Sequence, residues 1–174
     1  MREWVPVSTS PKGRLALAAV RQFGARPFDD VTVGELAGGA EVTTGAIYHH
    51  FGSKLGLYAF VRHDVEQRLL DRMEGAIAAA PGPSDRLAAV KTALLVGLDF
   101  AVREDLLRML ATPPPGPEAD RLVDLLTASV APAPPILGRV LAAAWRETLL
   151  AVAEGAAADD ARAALLALQL HIAS

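Results

Sequence analysis

The chain has 174 residues, of which 52% are hydrophobic, and a formal net charge of −3 at pH 7, so it can bury a sizeable core in one or two domains. It has no cysteine, which excludes disulfides, thiolate chemistry and cysteine-ligated zinc. The first ten residues lack the apolar core of a signal peptide, and every longer apolar stretch contains a charge or a proline, so we expect a soluble, cytoplasmic protein that does not cross a membrane.

The first two predicted helices lie before residue 40. Alanine and leucine dominate the sequence and favour helix, and an apolar face repeats from about Pro11 to Gly24. A second helix should begin after Thr32, because Thr32 and Glu35 match the capping box, in which each side chain bonds the backbone N–H of the other residue. Small Ala37 would lie where this helix crosses its neighbour. The apolar residues that would pack it against a third helix are Leu36, Ala40, Val42 and Ile47.

The third predicted helix is short and has an unusual exposed side. Thr43 or Thr44 can cap it, and its outer face would carry Thr44, Gly45, Tyr48 and His49. Two short helices in this spacing are typical of a DNA-reading helix-turn-helix, whose second helix touches base edges with its first turns. Small and hydroxyl-bearing residues suit that contact, because bulk would hold the backbone away from the groove. The alternative interpretation is an ordinary helical hairpin with a Gly/Thr connector.

The run VTTGAIYHHFGSK from Val42 to Lys54 resembles the N-terminal domain of tetracycline-repressor (TetR) family transcriptional regulators, and the resemblance extends from about Leu15 to Leu57. It implies an all-α protein with an N-terminal three-helix helix-turn-helix domain, residues 1–55. A C-terminal helical domain for effector binding and dimerisation, residues 56–174, would follow. The resemblance also implies that Phe51 anchors the recognition helix to the core of its domain.

The DNA-binding residues follow from the same resemblance. Lys54 would meet a phosphate, Tyr48 and His49 would face the DNA backbone, and the Thr44–Gly45 region would approach bases, all roles that suit their chemistry. Residues 1–55 carry only a slight excess of positive charge, so Lys12, Arg14, Lys54 and helix N-termini would have to lie near phosphates. The residues expected at the DNA interface are Thr32, Thr43, Thr44, Gly45, Tyr48, His49 and Lys54.

Glu41 in the turn and the adjacent pair His49 and His50 are two unusual features of this region. Glu41 stands in the turn where the family usually has glycine. Either it adopts a left-handed backbone at a cost of about 1–2 kcal/mol, or Gly38 and Gly39 shift the turn and let it keep a negative φ. A carboxylate here would weaken DNA binding in either case.

His49 and His50 are adjacent and point about 100° apart on a helix, so we expect no metal site.

Six further helices are predicted after the motif. Ser53 should cap the fourth, which would be about 40 Å long. Ser84 should cap the fifth, and proline-rich segments separate several of the others. The predicted bounds are Ser53–Ala80, Ser84–Val102, Glu104–Ala111, Glu118–Val130, Ile136–Gly155 and Asp159–Ala173.

The last two helices are too apolar for a solvated surface. Core packing alone would explain this, but a two-fold interface would explain it as well, and the resemblance implies dimers built by these helices. A homodimer would hold two recognition helices about 34–36 Å apart, the spacing of successive major grooves in a palindromic site. The residues expected in the interface are Leu141, Trp145, Leu149, Ala161, Leu165 and Leu168.

Family members usually keep a cavity for a small effector between the fourth helix and helices five to eight. Aromatic and methionine side chains suit an apolar pocket, although each of them is also an ordinary core residue. His63 has a second interpretation, in which it faces solvent beside Arg62 and Asp64. The candidate pocket residues are Phe60, His63, Met73, Phe100, Met109 and Trp145.

Catalytic motifs do not occur in the sequence: there is no nucleophile elbow, phosphate loop, HExxH or paired-carboxylate arrangement. We therefore expect neither an enzyme nor a cofactor. The predicted function is a ligand-responsive transcriptional regulator, a repressor that binds a palindromic DNA operator as a dimer and is released by a small-molecule effector. The alternative is a family-like helical dimer that senses a ligand or binds a protein partner without binding DNA.

Overall fold

A computed structural model describes residues 9–79, 86–114 and 120–168, and regular structure in these ranges is entirely helical. The predicted all-α class is therefore confirmed. Contacts divide the chain into two compact units, Met1–Glu66 and Gln67–Ser174. The elements of the described ranges are α1 (Pro11–Ala25), a 3₁₀ turn (Phe28–Asp30), α2 (Val33–Gly39), α3 (Thr44–Phe51), α4 (Lys54–Ala78), α5 (Arg86–Arg103), α6 (Leu107–Ala111), α7 (Arg121–Val130), α8 (Ile136–Ala153) and α9 (Ala158–Ala167).

The N-terminal unit packs α1, α2 and α3 around a small apolar core. Ser10 caps α1 by accepting a hydrogen bond from Gly13 N at 3.0 Å, and the proline that follows it suits the first helical turn. Leu36 and Ile47 are completely buried, so the helical pairing predicted from their spacing is confirmed. Further core residues of this unit, each at most 1% exposed, are Leu15, Ala16, Ala19, Phe23, Val31, Ala40, Leu57, Val61 and Val65.

Helix α4 belongs to both units. It has 25 residues, about 37 Å at 1.5 Å per residue, and the division between the units falls within it, after Glu66. The predicted domain boundary after residue 55 lies about three turns earlier, at the end of the sequence motif. The contacts divide later because the first turns of α4 bury Leu57, Val61 and Val65 as part of the N-terminal unit.

The C-terminal unit packs α5 to α9 around Trp145, which is fully buried and donates from Nε1 to Leu94 O at 3.0 Å. Helices α7 and α8 approach closely at Gly138, where an ideal Cβ would lie 2.6 Å from Thr127 N. Arg146 on α8 makes a bidentate ion pair with Asp120, the N-cap of α7, at 2.6 and 2.8 Å. Burial alone would raise the pKa of Asp120, but the hydrogen bonds and charge of Arg146 outweigh burial and leave it lowered.

Several helix ends differ from the predicted ones. Helix α6 begins at Leu107 rather than Glu104, because Asp105 has a left-handed φ of 56° that interrupts the chain before it. Helix α8 ends at Ala153, shortly before Gly155 at φ 112°. The cap at Ser84, the predicted start at Glu118, residue 80 and residues 169–173 of the predicted last helix lie outside the described residues. Among the described helices, none combines the length and the apolar character needed to cross a bilayer.

Candidate nucleic-acid interface

Helix α2 begins with the predicted capping box. Thr32 Oγ1 accepts a hydrogen bond from Glu35 N at 3.2 Å, and Glu35 Oε2 accepts one from Thr32 N at 2.7 Å. Arg26 also pairs with Glu35 at 2.9 Å. The hydrogen bond from Arg26, followed by those from Thr32, lowers the pKa of Glu35 to about 2. Thr32 therefore has a structural role here, and its predicted contact with DNA stays a prediction.

The turn between α2 and α3 is strained at Glu41, whose φ is 53°. Of the two alternatives, the left-handed backbone is thus the one observed, and the shifted turn is wrong. Arg14 on α1 supports this turn, since its Nε donates to Ala40 O at 2.8 Å and its Nη1 donates to Thr9 O at 2.9 Å. The Glu41 side chain is exposed, which leaves a carboxylate beside the start of α3.

Helix α3 has one buried side and one open side. Ile47 is completely buried, whereas Tyr48 is 56% exposed, and Thr44, Gly45 and His49 are also exposed. The predicted exposed face is therefore confirmed. Thr43 is the N-cap residue by position, but its side chain makes no capping hydrogen bond.

The exposed face of α3 carries small side chains in its first turn and larger ones toward its end. An ideal Cβ on Gly45 would meet Thr43 Oγ1 at 3.7 Å, an ordinary contact distance, so glycine is not required here by packing within the chain. The rings of His49 and His50 lie 4.8 Å apart between centroids. In the described ranges, no group of three or more metal-ligating residues comes together.

The joint between α3 and α4 depends on two glycines. Gly52 ends α3 with a φ of 75°, a conformation that favours glycine. Gly56 lies in the first turn of α4, where an ideal Cβ would be only 2.1 Å from Phe51 O. Ser53 accepts a hydrogen bond from Gly56 N at 2.9 Å. The two helices can therefore meet at this short connection only because residue 56 has no side chain.

Lys54 lies at this joint and is bound within the unit. Its Nζ donates to Phe28 O and to Val31 O, both at 2.8 Å, and lies 4.1 Å from the centroid of the Phe28 ring. Two of the three ammonium donors are therefore used by backbone carbonyls of the segment before α2. The predicted contact of Lys54 with a phosphate is untested by this geometry and stays a prediction.

Lys12 differs from the cations that are tied into the fold. Its side chain is exposed, and its Nζ lies 4.9 Å from the centroid of the Phe60 ring and 5.9 Å from that of Phe51. The two rings are themselves 5.2 Å apart. Phe51 therefore packs against Phe60, and Lys12 lies over both rings; the anchoring role that the resemblance implies for Phe51 stays a prediction.

The predicted pocket residues belong to both units: Phe60 and His63 lie in the N-terminal unit, and the other four lie in the C-terminal unit. Met73, Phe100, Met109 and Trp145 are each at most 1% exposed. Met73 and Trp145 close over Gly97, where an ideal Cβ would lie 3.3 and 3.0 Å from their atoms. Phe60 contacts Phe51 in the N-terminal unit. His63 is exposed, in agreement with its solvent-facing interpretation.

The predicted dimer residues differ in exposure within one chain. Leu141, Trp145, Leu149 and Ala161 are at most 5% exposed, because packing inside the protomer covers them, and their place in an interface stays a prediction. Leu165 is 3% exposed but forms the floor of a cleft of about 310 Å³ between α8 and α9. The complete lining of this α8–α9 cleft is Ala144, Glu147, Thr148, Ala151, Ala164, Leu165 and Leu168.

Three features of the candidate site were not predicted from the sequence. They are the tie from Arg14 to Ala40, the two carbonyl contacts of Lys54 and the close approach at Gly56. A glycine inside a helix is a recognisable signal, because it is unfavourable there by about 1 kcal/mol relative to alanine. Ala40 lies 26 residues from Arg14, and Phe28 and Val31 lie 26 and 23 residues from Lys54, so no local pattern indicates these contacts.

Comparison with known proteins agrees with this geometry. Residues 16–60 match the family model "Bacterial regulatory proteins, tetR family". No curated protein sequence matches the chain. A TetR-family transcriptional regulator from Pectobacterium atrosepticum has a similar structure, with a TM-score of 0.66 and 22% identity over 90% of this chain and 88% of the other.

Two further solved structures share the fold. The TetR family repressor AlkX from Dietzia sp., implicated in biodegradation of n-alkanes, gives a TM-score of 0.52 at 17% identity over 91% of this chain and 93% of that one. A TetR-family regulator from Streptomyces coelicolor gives 0.51 at 20% identity over 95% and 94%. The family model thus covers the helix-turn-helix region of this chain, and the three solved structures show that the rest of the chain shares their fold.

Proposed function

We propose that this chain is a ligand-responsive repressor, which binds a palindromic DNA operator as a homodimer in the cytoplasm and is released by a small-molecule effector. The observation that carries the proposal is the open face of α3. Its residues Thr44, Gly45, Tyr48 and His49 are exposed while Ile47 on the opposite side is completely buried. A short helix held firmly on one side and open on the other suits insertion into a major groove.

The open face divides by chemistry into two parts. Thr44 and Gly45, in the first turn, are small enough to let the helix backbone approach base edges, and the threonine hydroxyl can donate to or accept from a base. Tyr48 and His49, one turn later, reach outward and suit contacts with phosphate oxygens. Thr43, at the N-cap, has a side-chain oxygen that makes no capping hydrogen bond, and it belongs with the base-proximal part.

The α8–α9 cleft supports the proposed homodimer. Three of its seven lining residues are alanines, and the small side chains Ala144, Ala151 and Ala164 allow helices of a second protomer to approach closely. Val140 on α8 and Leu166 on α9 are further exposed apolar residues of the same two helices, at 55% and 53%. Two protomers that bury this surface against each other would form a four-helix arrangement and would present two copies of α3 to one operator.

The proposed effector would enter the C-terminal unit and act through α4. This helix starts directly after the recognition helix, at Lys54, and continues to Ala78, so a shift of its far end is transmitted to α3 through a continuous helix. Because Met73 and Trp145 are packed closely over Gly97, a ligand would have to open the unit in order to bind. The ligand can weaken DNA binding by no more than the difference between its binding free energies for the opened and the closed state. This difference is typically 1–3 kcal/mol, or about 5–150-fold in affinity.

A gel-shift titration with DNA from the promoter of the gene and its neighbours tests the proposal. We expect a shifted band that disappears when unlabelled specific DNA is added in excess but remains when scrambled DNA is added. Thr44→Glu should abolish the shift by placing a carboxylate on the open face. Thr92→Glu, the same change at an exposed threonine of α5, should leave it unchanged. If wild-type protein shifts none of these fragments, the DNA-binding part of the proposal is wrong.

Glu41 favours a second candidate, a helical dimer that senses a ligand or binds a protein partner without binding DNA. Its exposed carboxylate lies directly before α3 and repels phosphates, and its left-handed backbone stores strain. Glu41→Gly removes both effects. A wild-type protein that fails to bind while Glu41→Gly binds the same DNA would support the second candidate. Specific binding by the wild-type protein would dismiss it.

A further inference from the structure

We propose that Lys54 is a positioning residue for the recognition helix and not a phosphate contact, an inference that rests on the proposed DNA binding. Its Nζ donates to Phe28 O and Val31 O at 2.8 Å each. Both carbonyls belong to the segment that leads into α2, whereas Lys54 itself is the first residue of α4. One ammonium group therefore joins the chain just before the helix-turn-helix to the chain just after it.

The surroundings of the ammonium group favour this role over a contact with DNA. Lys54 is half-buried, and its Nζ lies 4.1 Å from the centroid of the Phe28 ring, within the range of a cation–π contact. Phe28 is held in turn by Phe23 and Tyr58, whose ring centroids are 5.7 and 5.1 Å away. Only the third ammonium donor is left for a phosphate, and a closer approach to DNA would have to pull the ammonium away from two carbonyls and an aromatic face.

The carbonyl of Val31 gives the interaction its structural weight. Val31 is completely buried, and removal of the ammonium would leave its carbonyl without this donor, which is costly in a buried position. Thr32 follows directly and caps α2. Removal of the Lys54 hydrogen bonds would therefore loosen both the start of α2 and the start of α4, and α3 lies between them.

Lys12 is the matched comparison on the same unit. Its side chain is exposed, and its Nζ faces the Phe60 ring at 4.9 Å; the described part of the chain gives it no hydrogen bond to a carbonyl. Lys12→Met and Lys54→Met both remove one charge from each protomer and keep most of the side-chain stem. Only Lys54→Met removes donors from backbone carbonyls.

The salt dependence of operator binding separates positioning from phosphate binding. Removing one lysine–phosphate ion pair reduces the magnitude of the slope of log K against log salt by about 0.9, so removing one from each protomer of a dimer reduces it by about 1.8. We expect Lys54→Met to bind its operator about tenfold more weakly with a slope within about 0.3 of wild type, and to unfold at a lower temperature. For Lys12→Met we expect a shallower slope and an unchanged unfolding temperature.

The outcomes for Lys54→Met are distinguishable. A slope reduced by about 1.8 in a folded variant would show that Lys54 binds phosphate and would overturn the proposal, as would unchanged affinity and unfolding temperature. Absence of any operator binding by the wild-type protein would instead count against the proposed function.

A measurement on wild-type protein covers the case in which Lys54→Met does not fold. NMR of the lysine ammonium groups should show slow hydrogen exchange at Lys54 Nζ and scalar coupling to the carbonyl carbons of Phe28 and Val31, both before and after operator is added. Disappearance of these couplings when DNA binds would show that the ammonium moves to a phosphate, which would also overturn the proposal.

Discussion

Gly56→Ala tests whether the joint between α3 and α4 holds the recognition helix in place. The added Cβ would lie 2.1 Å from Phe51 O and 3.2 Å from Phe51 C. Real Cβ atoms essentially never come closer than 3.0 Å to another heavy atom, so the carbonyl and the end of α3 must move by about 1 Å. We therefore expect both stability and DNA binding to fall.

The magnitude follows from two opposing effects. Forcing a methyl group into a filled site typically costs about 1–3 kcal/mol, and the clash here is with backbone, which has no alternative rotamer. Alanine is better than glycine in a helix by up to about 1 kcal/mol. A net destabilisation of up to about 2 kcal/mol remains, equivalent to a fall of up to about 8 °C in unfolding temperature for a chain of this size.

Gly75→Ala is the matched control, because Gly75 lies in the same helix and an ideal Cβ there meets nothing within 4 Å. It should raise the unfolding temperature slightly and leave operator affinity unchanged. Thermal unfolding by circular dichroism and a gel-shift titration measure the two properties for both variants. If Gly56→Ala is as stable as Gly75→Ala and binds operator as tightly as wild type, the close approach at this joint has no energetic consequence and the reasoning fails.

Three further predictions concern the cap of α2, the open face of α3 and the α8–α9 cleft. Glu35→Gln should lower the unfolding temperature at pH 7. The difference from wild type should shrink as pH falls from 4.5 toward 2, because the pKa of Glu35 is lowered from 4.5 to about 2 in the folded protein. A difference in unfolding temperature that persists at pH 2 would contradict this assignment. Tyr48→Phe should weaken binding to all DNA sequences by a similar factor, whereas Thr44→Val should change which bases are selected from a randomised operator. If Thr44→Val and wild type select the same bases, the division of the α3 face into a base-contacting part and a phosphate-contacting part is contradicted. Ala164→Glu should give monomers in sedimentation velocity because Ala164 lines the cleft, while Ala163→Glu, exposed outside that lining, should remain dimeric.

Local sequence determined much of the N-terminal unit. The capping box at Thr32 and Glu35 depends on residues three apart, and its hydrogen bonds are present as predicted. The buried Ile47 and the exposed Tyr48 follow from helical periodicity, which assigns neighbouring residues to different faces. The succession of helices was likewise predictable from alanine and leucine content and from proline and glycine breaks.

The outward face of the last two helices was not predictable from periodicity. An apolar stripe identifies residues that become buried, but it does not indicate whether they are buried within their own chain or against a second chain. The structure buries Leu141, Trp145 and Leu149 within the protomer and leaves small Ala164 beside the cleft. Of the large apolar residues expected at the interface, Leu141, Trp145 and Leu149 are therefore covered within one chain, whereas Leu165 and Leu168 line the cleft.

The uses of the basic residues were decided by tertiary structure in the same way. The sequence shows Arg14 and Lys54 near a DNA-binding motif, and positive charge there suggests phosphate contacts. In the folded chain Arg14 donates to Ala40 O, and Lys54 donates to Phe28 O and Val31 O. A cation binds whichever acceptors the fold brings within about 3 Å. Carbonyls 23 to 26 residues away in sequence reach that distance only once α1, α2 and α4 have packed together.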